Sequence, residues 1–126
     1  MEEINLSHFP PSPSEYDFSD HFKEDVIQEE GRNLDWNKTF QTIKYGNINK
    51  AEGNADVEWV RDYHGVKCYI LAGYNSKKEV PVVITGWPAV HDPRQAVNSG
   101  QWTEEQLRDI NEFNNGNGLE EDFRYP

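Results

Sequence analysis

One cysteine in 126 residues excludes an internal disulfide framework, so this chain must be held together by packing and hydrogen bonding. Cys68 is expected to be a small buried hydrophobe in a strand, and its isolation fits a reducing compartment such as the cytoplasm. Cations are also scarce. Twelve Lys and Arg face 23 Asp and Glu, a net charge of −11. An excess of that size opposes nucleic-acid binding in ordinary salt, because phosphate contact is driven by cationic patches. A high-salt cytoplasm would relax that exclusion by screening, although the seven lysines match a halophilic composition only in part. No run approaches 18 apolar residues and no cationic, apolar leader opens the chain, so membrane spanning and secretion are not expected. HxH, HxxH and CxxC are all missing, and His21, His64 and His91 stand far apart, so neither a metal nor a cofactor is expected. The chain also lacks a Gly-rich phosphate loop and a GxSxG elbow.

What the chain does have is aromatic residues and an ordered succession of patterns. Four Trp, six Tyr and six Phe supply large buried area to a chain that is only 35% apolar. Residues 1–18 are expected to be a flexible arm broken by Pro10, Pro11 and Pro13, with Leu6, Phe9, Tyr16 and Phe18 as anchors. Ser19 or Asp20 would cap a first helix of about ten residues carrying Phe22, Val26 and Ile27 and ending at Gly31. Asp35 would cap a second, with Trp36, Phe40 and Ile43 facing the core. Asn47–Lys50 reads as a short edge strand. Residues 56–63, 66–74 and 79–87 read as an antiparallel meander, because both connections are short. After a loop at Pro88–Pro93, Thr103 and Gln106 form a capping box for a last helix, with Trp102 and Leu107 at staple positions. The predicted architecture is α+β: two N-terminal helices on a three- to four-stranded antiparallel sheet, plus a C-terminal helix. One domain would span 19–115, followed by an acidic tail at 116–126.

A metal-independent ribonuclease needs a base, an acid and a cation for the phosphate. His21, at the start of the first helix, and His64, in the hairpin connection, are the candidates for proton transfer. Arg61 could supply a bidentate fork for phosphate, and Thr85 could orient it. Trp59, Tyr69 and Trp87 are the candidates for stacking on bases. Each has a plainer role available: a surface position near a cap for His21, a turn for His64, a surface ion pair for Arg61, β-propensity for Thr85 and core or sheet-surface packing for the aromatics.

The run Ser19-Asp20-His21-Phe22, the helix closing with Tyr45-Gly46-Asn47-Ile48, and the strand Pro81-Val82-Val83-Ile84-Thr85-Gly86 resemble the DUF4258 family. That family is similar to the small ribonuclease toxins of the RelE, BrnT and colicin-like group. The resemblance covers roughly residues 19–87 and implies an RNA-cleaving or RNA-binding role with His21 as the functional position. Where the family usually has a basic position after its histidine, this chain has Glu24, Asp25, Glu29 and Glu30. Two functions follow. One is a toxin-type endoribonuclease neutralised by an antitoxin-like partner. The other is a non-catalytic acidic protein, of halophilic or viral type, that binds a basic or hydrophobic protein partner.

Overall fold

The computed structural model describes residues 4–28 and 32–115. Its centre is the expected meander: β3 (Val57–Tyr63), β4 (Val66–Asn75) and β5 (Val80–Val90) pair antiparallel, and β2 (Asn47–Lys50) adds to the β3 edge. His64 and Gly65 close the β3–β4 hairpin with φ of 53° and 89°. Two consecutive positive φ values are what a type I′ turn demands, and its twist matches that of the strands.

The sheet differs from the predicted one. It has five strands in the order β1-β5-β4-β3-β2 and is mixed, because β1 (Asp17–Phe18) lies parallel to β5 at Val82–Val83. A two-residue strand is too short to show the alternation by which strands are read from sequence. The residues expected to form an arm also contribute to the core, where Phe9 and Tyr16 set their rings edge-on against Trp59.

The predicted ten-residue first helix is replaced by a short π-helical segment, Phe22–Val26, closed by an Ile27 N–H to Phe22 C=O bond of 3.0 Å. Ser19 explains why the helix starts here. Its hydroxyl donates to the Ile84 carbonyl at 2.9 Å and accepts from the Phe22 amide, so the first turn is tied to β5. Phe22 and Val26 then bury completely.

Helix α1 (Trp36–Tyr45) begins where expected, with the Asp35 carboxylate accepting from the Lys38 amide at 2.8 Å. Its buried face is Thr39, Thr42 and Ile43 rather than Trp36, Phe40 and Ile43. The two threonines lie against the sheet because their hydroxyls bond back to the Asp35 and Lys38 carbonyls, leaving no polar group unsatisfied. Trp36 and Phe40 are displaced outward.

Beyond β5 the chain forms α2 (Pro93–Asn98), capped by Asp92, and α3 (Glu104–Asn115). The capping box of α3 is reciprocal: Thr103 N–H donates to Gln106 Oε1 at 3.0 Å, and Gln106 N–H to Thr103 Oγ1 at 3.1 Å. Trp102, Leu107 and Ile110 join Val66 and Ala96 in a second apolar cluster. The main cluster lies where α1 and the π-helical segment meet the sheet around Ile43, Trp59, Cys68 and Ile70. The expected acidic tail at 116–126 lies outside the described residues. Among the described residues no helix is long and apolar enough to cross a membrane.

Gly65 packs the β3–β4 hairpin closely against the start of α2. A Cβ there would stand 2.4 Å from the Asp92 carbonyl and 2.9 Å from the Ala96 nitrogen, at a φ that disfavours any side chain. Gly65→Ala should therefore cost about 2 kcal/mol or more, read as a lower urea midpoint with an unchanged slope.

Candidate functional site

The structure pairs two of the four residues considered for catalysis. His21 enters the π-helical segment with 7% of its surface exposed, and Thr85, 3% exposed, faces it from β5. His21 Nδ1 lies 3.1 Å from Asp25 Oδ2, and His21 Nε2 lies 3.4 Å from Thr85 Oγ1. With Asp25 accepting from Nδ1–H, Nε2 presents its lone pair to the Thr85 hydroxyl. Carboxylate, imidazole and hydroxyl thus stand in relay order. The hydroxyl is enclosed, however, and in this arrangement the imidazole ties the first helical turn to β5. Its surroundings are acidic: between residues 17 and 25, Asp17, Asp20, Glu24 and Asp25 accompany one cation, Lys23, which pairs with Asp20 at 3.6 Å.

Arg61 and His64 lie elsewhere. Arg61 pairs across the ladder with Cys68, donates to Gln41 of α1 at 2.5 Å and stacks against Tyr45 and Tyr63. Strand alternation puts it on the α1-covered face with Cys68 and Ile70, whereas Thr85, opposite Leu71, belongs to the other face. With β4 between them, β3 and β5 are also roughly 10 Å apart. His64 sits in the hairpin turn with its ring edge-on to Tyr63.

Of the three aromatics considered for stacking, Trp59 is 2% exposed and enclosed by core rings. Tyr69 and Trp87 face each other across β4 and β5, their rings 5.5 Å apart and nearly parallel. Burial, and then the charge of nearby Glu58, push the Tyr69 hydroxyl pKa up; burial and Glu52 raise that of Glu58 in turn. A carboxylate beside this stack works against a phosphodiester. Among the described residues no three His, Cys, Asp or Glu side chains are grouped as metal ligands. Burial pushes the Cys68 thiol up to about 12, which leaves it without thiolate character at neutral pH.

The surface with the strongest recognition chemistry is one that was expected to be core. Trp36 and Phe40, one turn apart on α1, are 36% and 40% exposed. They cluster with Phe18 of β1: Phe18 meets Trp36 edge-on at 5.0 Å and Phe40 at 6.1 Å, and Trp36 and Phe40 lie 5.7 Å apart. Asp17, adjacent to Phe18, and Asp20 just beyond are both exposed. Strand alternation sends Asp17 to the face opposite Phe18, and Asp20 pairs with Lys23, so the patch itself is aromatic, suited to a cationic side chain lying on a ring face. One sequence signal could have revealed it. Thr39, Thr42 and Ile43 form an alternative stripe at helical spacing, and choosing that stripe as the buried one turns Trp36 and Phe40 outward.

Comparison of the chain with protein-family models, curated proteins and solved structures gives no match to any of them.

A separate polar clamp holds the loop after β5. Asp62 accepts from His91 Nε2 at 2.8 Å and from the Gly65 amide at 2.9 Å. Burial raises the Asp62 pKa, but the bonds from His91 and Gly65 and the charges of His91 and Lys67 outweigh it, so the net shift is downward. A depressed carboxylate contributes stability above its unfolded pKa, near 3.9, and loses it as pH falls through the folded value. Asp62→Asn should therefore flatten the acid limb of the stability profile below about pH 4, with little change in its slope above about pH 6, measured by urea denaturation across pH.

Proposed function

We propose that this is a non-catalytic acidic binding protein that docks a basic protein segment on the aromatic patch formed by Phe18, Trp36 and Phe40. The patch carries the reading. Two large rings project from a well-capped helix, on a chain whose net charge of −11 attracts cationic partners over long range. Aromatic anchors of this kind commonly dominate interface energetics, while the overall charge sets approach rate and salt dependence.

A toxin-type ribonuclease is less well supported. It would require His21, Arg61 and His64 to converge on one phosphate, and Arg61 instead contacts Gln41 and Tyr45 on the sheet face opposite Thr85. The acidic stretch around His21 also repels a polyanion. The likeness to the DUF4258 and RelE group would then extend to local sequence but not to activity.

The test is binding of a fluorescent Lys/Arg-rich peptide containing one Trp, alongside an RNA cleavage assay. Trp36→Ser with Phe40→Ser should weaken binding by at least about tenfold without unfolding the domain. Raising salt from about 50 mM to about 0.5 M should weaken the wild type as well. RNA should stay intact from low to molar salt. Metal-independent cleavage abolished by His21→Ala would replace this reading with the enzymatic one.

A further inference from the structure

A sizeable cavity lies far along the chain from the aromatic patch. It is a groove of about 870 Å³ between α2 and α3, lined by Pro93, Arg94 and Val97 on one side and Leu107, Arg108 and Asn111 on the other. Its walls are firmly held. Ala96 of α2 is fully buried against the hairpin glycine, Trp102 donates its indole N–H to the Tyr63 carbonyl at 2.9 Å, and Ile110 anchors α3 from beneath. The groove is therefore a fixed feature of the fold rather than slack between two loose helices.

Its chemistry is unusual for this chain. Val97, 36% exposed, gives the groove an apolar element, with Pro93 and the edge of Leu107 beside it. Arg94 and Arg108 stand over it, and neither forms an ion pair with any described carboxylate. Five arginines serve the whole sequence, and two of them meet here. Two arginines with no ion pair to a described carboxylate, beside an apolar surface, are poised for an external anion. Glu104 and Glu112 also line the groove, which favours a ligand that places its acidic groups at the arginines and its apolar group at Val97 over a diffuse polyanion such as RNA.

We propose that the α2–α3 groove is a second docking site, taking a short acidic segment of a partner protein that carries an apolar anchor. Helix α3 rises about 1.5 Å per residue, so its groove face from Glu104 to Asn115 spans roughly 16 Å, the length of about five extended residues. In such a segment carboxylates pair with the Arg94 and Arg108 forks, and a leucine or similar side chain covers Val97. The site is opposite in charge preference to the aromatic patch and does not depend on it, so either can fail alone.

Fluorescence anisotropy on the full chain, with a labelled peptide alternating Leu and Glu, tests the proposal. The peptide should bind, and its Lys-for-Glu counterpart should not bind at this site. Arg94→Glu with Arg108→Glu should weaken the acidic peptide by at least about tenfold, and Val97→Asp by a comparable factor. All three positions are exposed, so the variants should keep the wild-type circular dichroism. Trp36→Ser with Phe40→Ser should leave this affinity unchanged, which separates the result from the fate of the first site. Unchanged affinity in the double arginine variant overturns the proposal. So does equal binding of the Lys peptide displaced by the Glu peptide, or equal competition by a simple fatty carboxylate, which would make the ligand a small amphiphile. A concentration-dependent dimer abolished by Val97→Asp, with no peptide binding, assigns the groove to a second copy of the chain and likewise overturns it.

Discussion

Strand β5 has an edge that β1 covers only at Val82 and Val83, and the rest of the fold is arranged to satisfy what that leaves open. Three carbonyls further along β5 each receive a side-chain donor. Ser19 Oγ donates to Ile84, an Arg32 Nη to Gly86 at 3.0 Å, and Asn114 Nδ2 to Pro88 at 2.9 Å. The donors come from the start of the π-helical segment, from the stretch leading to α1, and from the end of α3. An uncovered strand edge of this length would template pairing with other chains and leave polar groups unmatched where the flanking segments exclude water. Here the edge is closed by discrete donors instead of another strand. Arg32 is itself buried and held under the Phe113 ring at 4.3 Å, so the cation is fixed as well as hydrogen-bonded.

That closure also explains where Pro88 sits. A proline inside a central strand would forfeit a ladder bond, yet β5 runs through Pro88 to Val90. It is tolerated because this part of β5 pairs on one side only, with β4, while the other side is served by Asn114. The sequence pattern Trp-Pro at 87–88 therefore marks a stretch where the strand is an edge, and not its end.

The parts of this fold visible in the sequence were those governed by local physics. The hairpin at His64-Gly65, the Asp35 cap, the Thr103–Gln106 box and the meander follow from turn chemistry, capping and alternation, and all are observed. The parts not visible depend on tertiary contacts. A two-residue parallel strand carries no pattern of its own. The first turn is placed by Ser19, which is committed to Ile84, 65 residues away. The orientation of α1 turned on whether threonines or aromatics would face the sheet, and two back-bonded hydroxyls decided it for the threonines. The candidate site followed the same rule. His21 and Thr85 meet, but the strand parity that sends Arg61 to the other face depends on register, which residue types alone do not specify.

The span between Ser19 and Ile84 also has a consequence in time. During synthesis at about 5–20 residues per second, the N-terminal third must wait roughly 3–13 s before the strand that receives it exists. Over that interval Tyr16, Phe18 and Phe22 have no β5 to pack against. The acidic residues interleaved with them, Asp17, Asp20, Glu24 and Asp25, then have a role that the finished fold does not reveal. Charge interleaved in this way opposes association of exposed aromatic segments, so carboxylates that bond His21 and Lys23 in the finished fold also bear on the chain before its strand exists.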